Sequence, residues 1–234
     1  MVEHVVLTPS DWDRIELVAF DVDGTLYKQR SLRIRMARDV VLHAMLNRDF
    51  RPILILRAYR RIRERLSDEE VGGFDAVLAA ETAKQARCSQ QVVADIVAEW
   101  IEHRPLAYLA GCRYPGLPDL FSGLRRTGKI IGVLSDYPAE TKLAALGLAA
   151  DYVVSAGDDG IGFLKPHPRG LEALIAAAGT SANTTVLIGD RTERDGLVAQ
   201  RLGVRALIRS SKPLLGWQTF AAYDDPLFAP LLAA

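Results

Sequence analysis

The chain has 234 residues, 49% apolar and 25% charged, a soluble globular composition long enough for one large domain or two unequal ones. Lys+Arg and Asp+Glu both number 29, so overall charge does not mark a polyanion-binding protein. Two cysteines without a CxxC or Cys/His cluster exclude a disulfide scaffold and a zinc ribbon, and no apolar run approaches the roughly 18 residues of a membrane span.

The opening Met1–Pro9 lacks a basic stretch followed by a long apolar one, so it does not read as a secretory leader, and a cytoplasmic protein is expected. Leu17–Asp21 (LVAFD) is the first predicted strand, a continuous apolar run of the kind buried on both faces of a parallel sheet. It runs into Asp21-Val22-Asp23-Gly24-Thr25. Two carboxylates two residues apart at a buried strand end suit metal binding, or a nucleophile and an acid/base in one loop. A turn using the freedom of Gly24 is the plainer reading.

From Lys28 to Arg113 the sequence looks helical. Between Lys28 and Arg65 twelve Lys/Arg face only Asp39, Asp49 and Glu64, so this segment is strongly cationic. Ile55, Tyr59, Ile62 and Leu66 fall within an arc of about 60° at about 100° per residue, with Arg57, Arg60, Arg61, Arg63 and Arg65 around the rest of that helix. Ser89 is a plausible N-cap for a helix whose apolar face is Val92, Val93, Ile96, Val97, Trp100 and Ile101. Gly72-Gly73 and the stretch Pro105–Gly116 are expected breaks.

After Pro115, strands and helices alternate. Strands are expected at Ile130–Ser135, Tyr152–Ser155, Thr185–Gly189 and Val204–Ile208, and helices at Leu117–Arg126, Ala139–Leu146, Pro168–Ala178 and Asp195–Leu202. Gly147, Gly179 and Gly203 each follow a helix, the usual C-terminal signal. This rhythm predicts an α/β fold with a doubly wound parallel sheet, interrupted after its first strand by a helical insertion of some 85 residues. The tail after Lys212 gives no reading.

Ligands of such sheets bind at the carboxyl ends of the strands. There stand Ser135-Asp136, Gly189-Asp190 with Glu193 and Asp195 close behind, and, between two strands, Lys165-Pro166-His167-Pro168. Singly these read as a helix cap, an acidic helix start and an exposed loop lysine. Together with the first loop they bring Asp21, Asp23, Ser135, Lys165, Asp190 and Asp195 toward one crevice.

The order DVDGT (Asp21–Thr25), an apolar strand ending in Ser135, Lys165-Pro166 and GDRTERD (Gly189–Asp195) resembles the haloacid dehalogenase-like (HAD) superfamily, over residues 17–27 and 114–208. The resemblance implies a Rossmann-like core at 1–27 and 114–234 with an inserted α-helical cap at 28–113. It implies Asp21 as aspartyl nucleophile, Asp23 as general acid/base, Ser135 on an oxygen of the transferred group and Lys165 neutralising charge. It further implies Mg²⁺ held by Asp21, Asp190 and the backbone carbonyl of Asp23, with Asp195 supporting the metal site and Lys165. Dehalogenases of the superfamily lack an acid where Asp23 stands, so the expected reaction is Mg²⁺-dependent hydrolysis of a small phosphate monoester. A phosphomutase and a non-catalytic binding module are the alternatives. The cap arginines are either a solvated face, receptors for a second anionic group on the metabolite, or a contact for an anionic surface or acidic partner. With few aromatics beside them, nucleic acid is not an expected partner.

Overall fold

A computed structural model describes residues 7–233 of the chain, so most of the N-terminal stretch read for a leader, residues 1–6, lies outside it. One six-stranded sheet has the order β3-β2-β1-β4-β5-β6, with every neighbouring pair parallel. The strands are β1 (Leu17–Phe20), β2 (Ile130–Ser135), β3 (Tyr152–Ser155), β4 (Thr185–Gly189), β5 (Arg205–Arg209) and β6 (Gln218–Phe220). The first five match the expected runs to within one residue. The sixth, in the tail, went unread because three residues show no periodicity; it pairs at the sheet edge, Leu207 opposite Gln218.

Alternation of side chains across the sheet, with both faces covered, explains why the central strands β1, β2 and β4 are largely apolar. Val18 and Phe20 of β1 face one side and join Ile131, Val133, Val186 and Ile188 in the larger core, under Leu120, Phe121 and Leu124 of the helix Leu117–Arg126. Leu17 and Ala19 face the other side and pack with Leu134 and Leu187 against Leu171, Leu174 and Val198. Helices therefore cover both faces, as a doubly wound sheet requires.

The insertion is helical, as its composition suggests. It holds α1 (Gln29–Asn47), α2 (Arg51–Asp68), α3 (Phe74–Ala86) and α4 (Gln90–Val97), followed by a wider π-helical turn (Ala98–His103) and short turns at Leu106–Leu109 and Ala110–Cys112. Ser89 caps α4, its hydroxyl accepting the Val92 N–H at 3.3 Å. Ile55, Ile62 and Leu66 of α2 are buried against α3 and α4 with Tyr59 partly covered. The expected break at Pro105–Gly116 is confined to its end: short helical turns run on to Cys112, since Pro105 opens one, where its missing N–H is no loss, and the chain leaves helix only at residues 113–116.

The chain enters and leaves this block side by side. Tyr27 and Arg113 form an isolated antiparallel bridge, the Lys28 N–H donates to the Cys112 carbonyl at 2.9 Å, and the Tyr114 N–H to the Leu26 carbonyl at 3.1 Å. On the far side of the crevice, α2 is tied to the sheet's loops by ion pairs. Glu64 meets Arg191 and Arg194 at 3.2 and 3.0 Å, Asp68 meets Arg194 at 2.6 Å, and Glu70 meets Arg201 at 2.6 Å.

Candidate active site

Asp21 follows β1 directly, its N–H donating to the Ile188 carbonyl of β4 at 2.9 Å, so the sheet itself sets the position of the side chain. Lys165 Nζ donates to Asp21 Oδ1 at 2.5 Å and to Asp195 Oδ1 at 2.6 Å, and the Thr25 hydroxyl donates to Asp21 Oδ2 at 2.9 Å. Burial alone would discharge Lys165, but Asp195 and Asp21 outweigh it and hold the ammonium firmly protonated. The other oxygen of Asp195 accepts the backbone N–H groups of Asp190 and Arg191 at 3.2 and 3.1 Å, which fixes the loop after β4. Gly189 makes room for it: a Cβ there would lie 2.3 Å from Asp195.

Asp190 sits above Gly24, whose φ of +106° and lack of a side chain are both needed, because a Cβ would come within 2.0 Å of Asp190 Oδ2. Oxygens of Asp21, Asp190 and Asp195 lie within 4.8 Å of one another, and Asp190 Oδ1 is buried without a hydrogen-bond partner. Burial and then the charge of Asp195 push the Asp190 carboxyl up to about 7, and burial raises Asp21 as well. Crowded carboxylates are the donor set of a hard cation, and Asp190 has an oxygen left over for one, whereas each oxygen of Asp21 and Asp195 already accepts a hydrogen bond.

Asp23 occupies the opposite wall. Lys142 Nζ donates to both of its oxygens at 2.8 Å, and the Tyr27 phenol donates to Oδ1. Burial pushes the Asp23 carboxyl upward, but Lys142 and Tyr27 together outweigh it and leave the group below the ordinary carboxylate range. Lys142 comes from the helix Glu140–Leu146, where it shares the inner face with Leu143 and Leu146. Sequence reasoning passed over it. The available signal was its place on the helical wheel, about 40° from Leu146 at about 100° per residue.

Asp21, Asp23, Lys165, Asp190 and Asp195 share the wall of one cavity of about 360 Å³. Ser135 is not on that wall. It ends β2, buried, its hydroxyl accepting the Tyr137 N–H at 3.2 Å in a local turn; it caps no helix, since the next one has Ala139 at its N-cap, and its neighbours Asp136 and Tyr137 line the cavity. Asp136 Oδ1 accepts the Lys165 N–H at 2.9 Å, coupling the loop after β2 to the lysine.

A second cavity of about 380 Å³ opens from Asp23 between the helical block and the sheet, lined by Lys142, Tyr137, Arg63, Leu32, Met36 and Trp100 among others. Arg60 and Arg61 reach its wall; Arg57 lines a separate groove. Arg63 is not on a solvated face as the helical wheel suggested. It is buried, 4.0 Å over the Tyr137 ring, and donates to the Tyr59 hydroxyl at 3.4 Å and to the Asp136 carbonyl. Among the described residues no carboxylate forms an ion pair with it. Buried cations ordinarily have an anionic partner; this guanidinium has neutral hydrogen-bond partners and lies on the wall of both cavities.

Known proteins resemble this chain in both sequence and fold. A phosphoglycolate phosphatase of Rhodospirillum rubrum is 30% identical over 155 residues, 63% of this chain but only 60% of that protein's length. A glyceraldehyde 3-phosphate phosphatase of Methanothermobacter thermautotrophicus is 24% identical over 85% of this chain and 87% of its own. The crystal structure of the HAD-hydrolase YfnB of Bacillus subtilis, bound to magnesium, superposes with a TM-score of 0.67 at 15% identity, covering 94% of this chain and 100% of that one. Residues 15–203, which carry the strand-end acids and Lys165, match the hydrolase family described as haloacid dehalogenase-like, and the chain belongs to that family.

Proposed function

We propose that the protein is a phosphatase that hydrolyses a small phosphate monoester through a phosphorylated Asp21. The observation that carries this is the pairing of two differently held aspartates: Asp21 against Lys165 and Thr25, and Asp23 against Lys142 and Tyr27 on the side where the leaving group would lie.

A phosphate monoester brings two negative charges toward a carboxylate, so the site must offer compensation. Lys165 offers it, sitting against Asp21 and fixed there by Asp195. An Asp21 oxygen attacks phosphorus, the phosphorus–ester oxygen bond breaks, and the acyl phosphate forms on Asp21. The departing alkoxide needs a proton; Asp23, held as a carboxylate by Lys142 and Tyr27 in the free site, takes one up as the ester's two negative charges arrive and delivers it. The resulting carboxylate then takes a proton from the water that hydrolyses the acyl phosphate, returning Asp21 free. Asp21, Asp190 and the backbone carbonyl of Asp23 would hold Mg²⁺, in keeping with the partnerless Asp190 oxygen; when bound it supplies positive charge to the phosphoryl oxygens. Arg63 supports a substrate with a second anionic group; one relative is named for such an ester, phosphoglycolate with its carboxylate, and another for glyceraldehyde 3-phosphate, which has none.

The test is release of inorganic phosphate from a panel of phosphorylated metabolites with Mg²⁺, with EDTA and with Asp21→Asn as controls. Release that both controls abolish is the expected result. Isomerised sugar phosphate without free phosphate would assign a phosphomutase instead, and no turnover of any ester would refute the proposal.

A further inference from the structure

Seven of the nine large apolar side chains that stand exposed among the described residues lie between Ile34 and Leu54. Ile34, Val41, Leu42, Met45 and Leu46 are on α1, with Phe50 and Leu54 at the start of α2; Leu46 is 82% exposed and Met45 65%. The inner face of α1 is the buried set Leu32, Met36, Val40 and Ala44, so the exposed residues form its outward side. None of them lines a cavity of the active site. A concentration of this kind costs solubility and marks a contact surface rather than chance exposure.

The charges beside it say what kind of contact. Arg35 and Arg38 stand between the apolar residues on the outward side of α1, Arg48 and Arg51 sit at the corner, and the segment Lys28–Arg65 holds twelve cationic residues against three acids. Of those acids, Asp49 is paired with Arg51 at 2.8 Å, and Asp39 meets the exposed Arg38 at 3.4 Å while accepting the Tyr108 hydroxyl at 2.5 Å, so the basic residues still outnumber the acids beside the face. A second copy of the chain would set this cationic face against its like. A surface both anionic and able to receive apolar tips answers both features: a bilayer with acidic headgroups. No described helix is long and apolar enough to cross a membrane, but α1, 19 residues or about 28 Å long, can lie along one.

We propose that the outward face of α1 and the start of α2 docks the enzyme on anionic lipid, with Met45, Leu46 and Phe50 entering the headgroup boundary and the flanking arginines meeting phosphates. The inference is independent of the phosphatase reading.

Co-sedimentation of the full chain with vesicles tests it, using phosphatidylcholine alone and phosphatidylcholine with about one-third phosphatidylglycerol. Binding to the anionic vesicles is expected, weakened by salt and nearly absent with phosphatidylcholine alone. Each basic residue near the surface is worth roughly fivefold, so Arg38→Gln with Arg48→Gln should weaken partition about twentyfold. Met45→Glu, Leu46→Glu and Phe50→Glu together should abolish it. Leu46→Ser alone, at the most exposed position of the face, should weaken it several-fold and covers the event that the triple variant does not fold. Far-UV circular dichroism should be unchanged in every variant that is scored. Failure to bind anionic vesicles, equal binding to both lipids, or equal binding by wild type and variants would overturn the proposal. So would a dimer in light scattering that Leu46→Ser disrupts, which would make the face a contact between copies.

Discussion

Replacing Lys142 by Met removes the cation that engages both oxygens of Asp23 while keeping much of the side-chain volume. The pair is nearly enclosed, the lysine side chain 8% exposed and the aspartate 16%. Breaking one partner of a buried pair costs about 3–5 kcal/mol, and the lower end applies here because the Tyr27 phenol remains and Asp23 borders a cavity. At roughly 2–4 °C per kcal/mol for a chain of this size, the melting temperature at pH 7 should fall by about 6–12 °C. In the wild type the Asp23 pKa is depressed, so its contribution is present above the unfolded carboxylate pKa and lost as pH falls through the folded value. In the variant, burial is left as the dominant influence and the pKa rises above the unfolded value; the penalty is then full at neutral pH and relieved as pH falls. The gap between the two proteins should therefore be widest near pH 7 and narrow toward about pH 4. Thermal melts in EDTA at both pH values measure it, with Lys142→Arg expected to recover part of the loss. A gap under about 1 kcal/mol at pH 7, or one that does not change with pH, would refute the reasoning and reduce Lys142 to packing.

Asp21→Asn should fold normally and lose turnover, since the amide is nearly isosteric but cannot attack as an anion; a folded variant with normal activity would sink the proposed nucleophile. Asp23→Asn should slow alkyl phosphates by about 10²–10⁴-fold yet slow p-nitrophenyl phosphate much less, and equal losses would assign Asp23 another task. Arg63→Gln should raise KM for an ester carrying a second anion roughly tenfold to a hundredfold and leave an aryl phosphate nearly unchanged; parallel shifts would show that Arg63 only braces the crevice. Glu64 and Glu70 are both lowered, Glu64 against burial by its arginines and Glu70 first by its hydrogen bond from Arg201, so their ties to the sheet's loops persist at neutral pH and are lost as pH falls through those lowered values. Limited proteolysis between α1 and α4 should accordingly quicken in acid and in high salt, and an unchanged rate would show that these pairs do not hold the crevice shut.

What could be read from the sequence divides along a physical line. The central strands announced themselves because a strand buried on both faces is a nearly continuous apolar run, as in Leu17–Phe20 and in Val186–Ile188 of β4, while β3 and β5 showed through their apolar middles. Asp21, Lys165, Asp190 and Asp195 were legible because strand ends are where such sheets put their chemistry, and the structure gathers them on one wall. Lys142 and Arg63 were not. A lysine or arginine on a helix is solvated unless something far away receives it, and the partner of Lys142 is 119 residues distant along the chain. Nothing local to α2 distinguishes Arg63 from the exposed Arg60 and Arg61 beside it; the Tyr137 ring and the Asp136 carbonyl, which draw it inward, come from the loop after β2. Ser135, expected on an oxygen of the transferred group, accepts the Tyr137 N–H with its hydroxyl, an interaction that leaves the hydroxyl proton free to donate.

The crossing between sheet and helical block has a mechanical meaning. Tyr27 forms the bridge to Arg113 with its backbone and holds Asp23 with its phenol, four residues upstream. The pivot and the clamp are thus one residue. Any swing of the helical block about that crossing drags the ring along and loosens or tightens the acid's grip, while Asp21, anchored to the neighbouring strand through Ile188, stays put. A shift of the insertion at that crossing would reach Asp23 through the Tyr27 phenol, while Lys142, on the core, keeps its hold on both Asp23 oxygens.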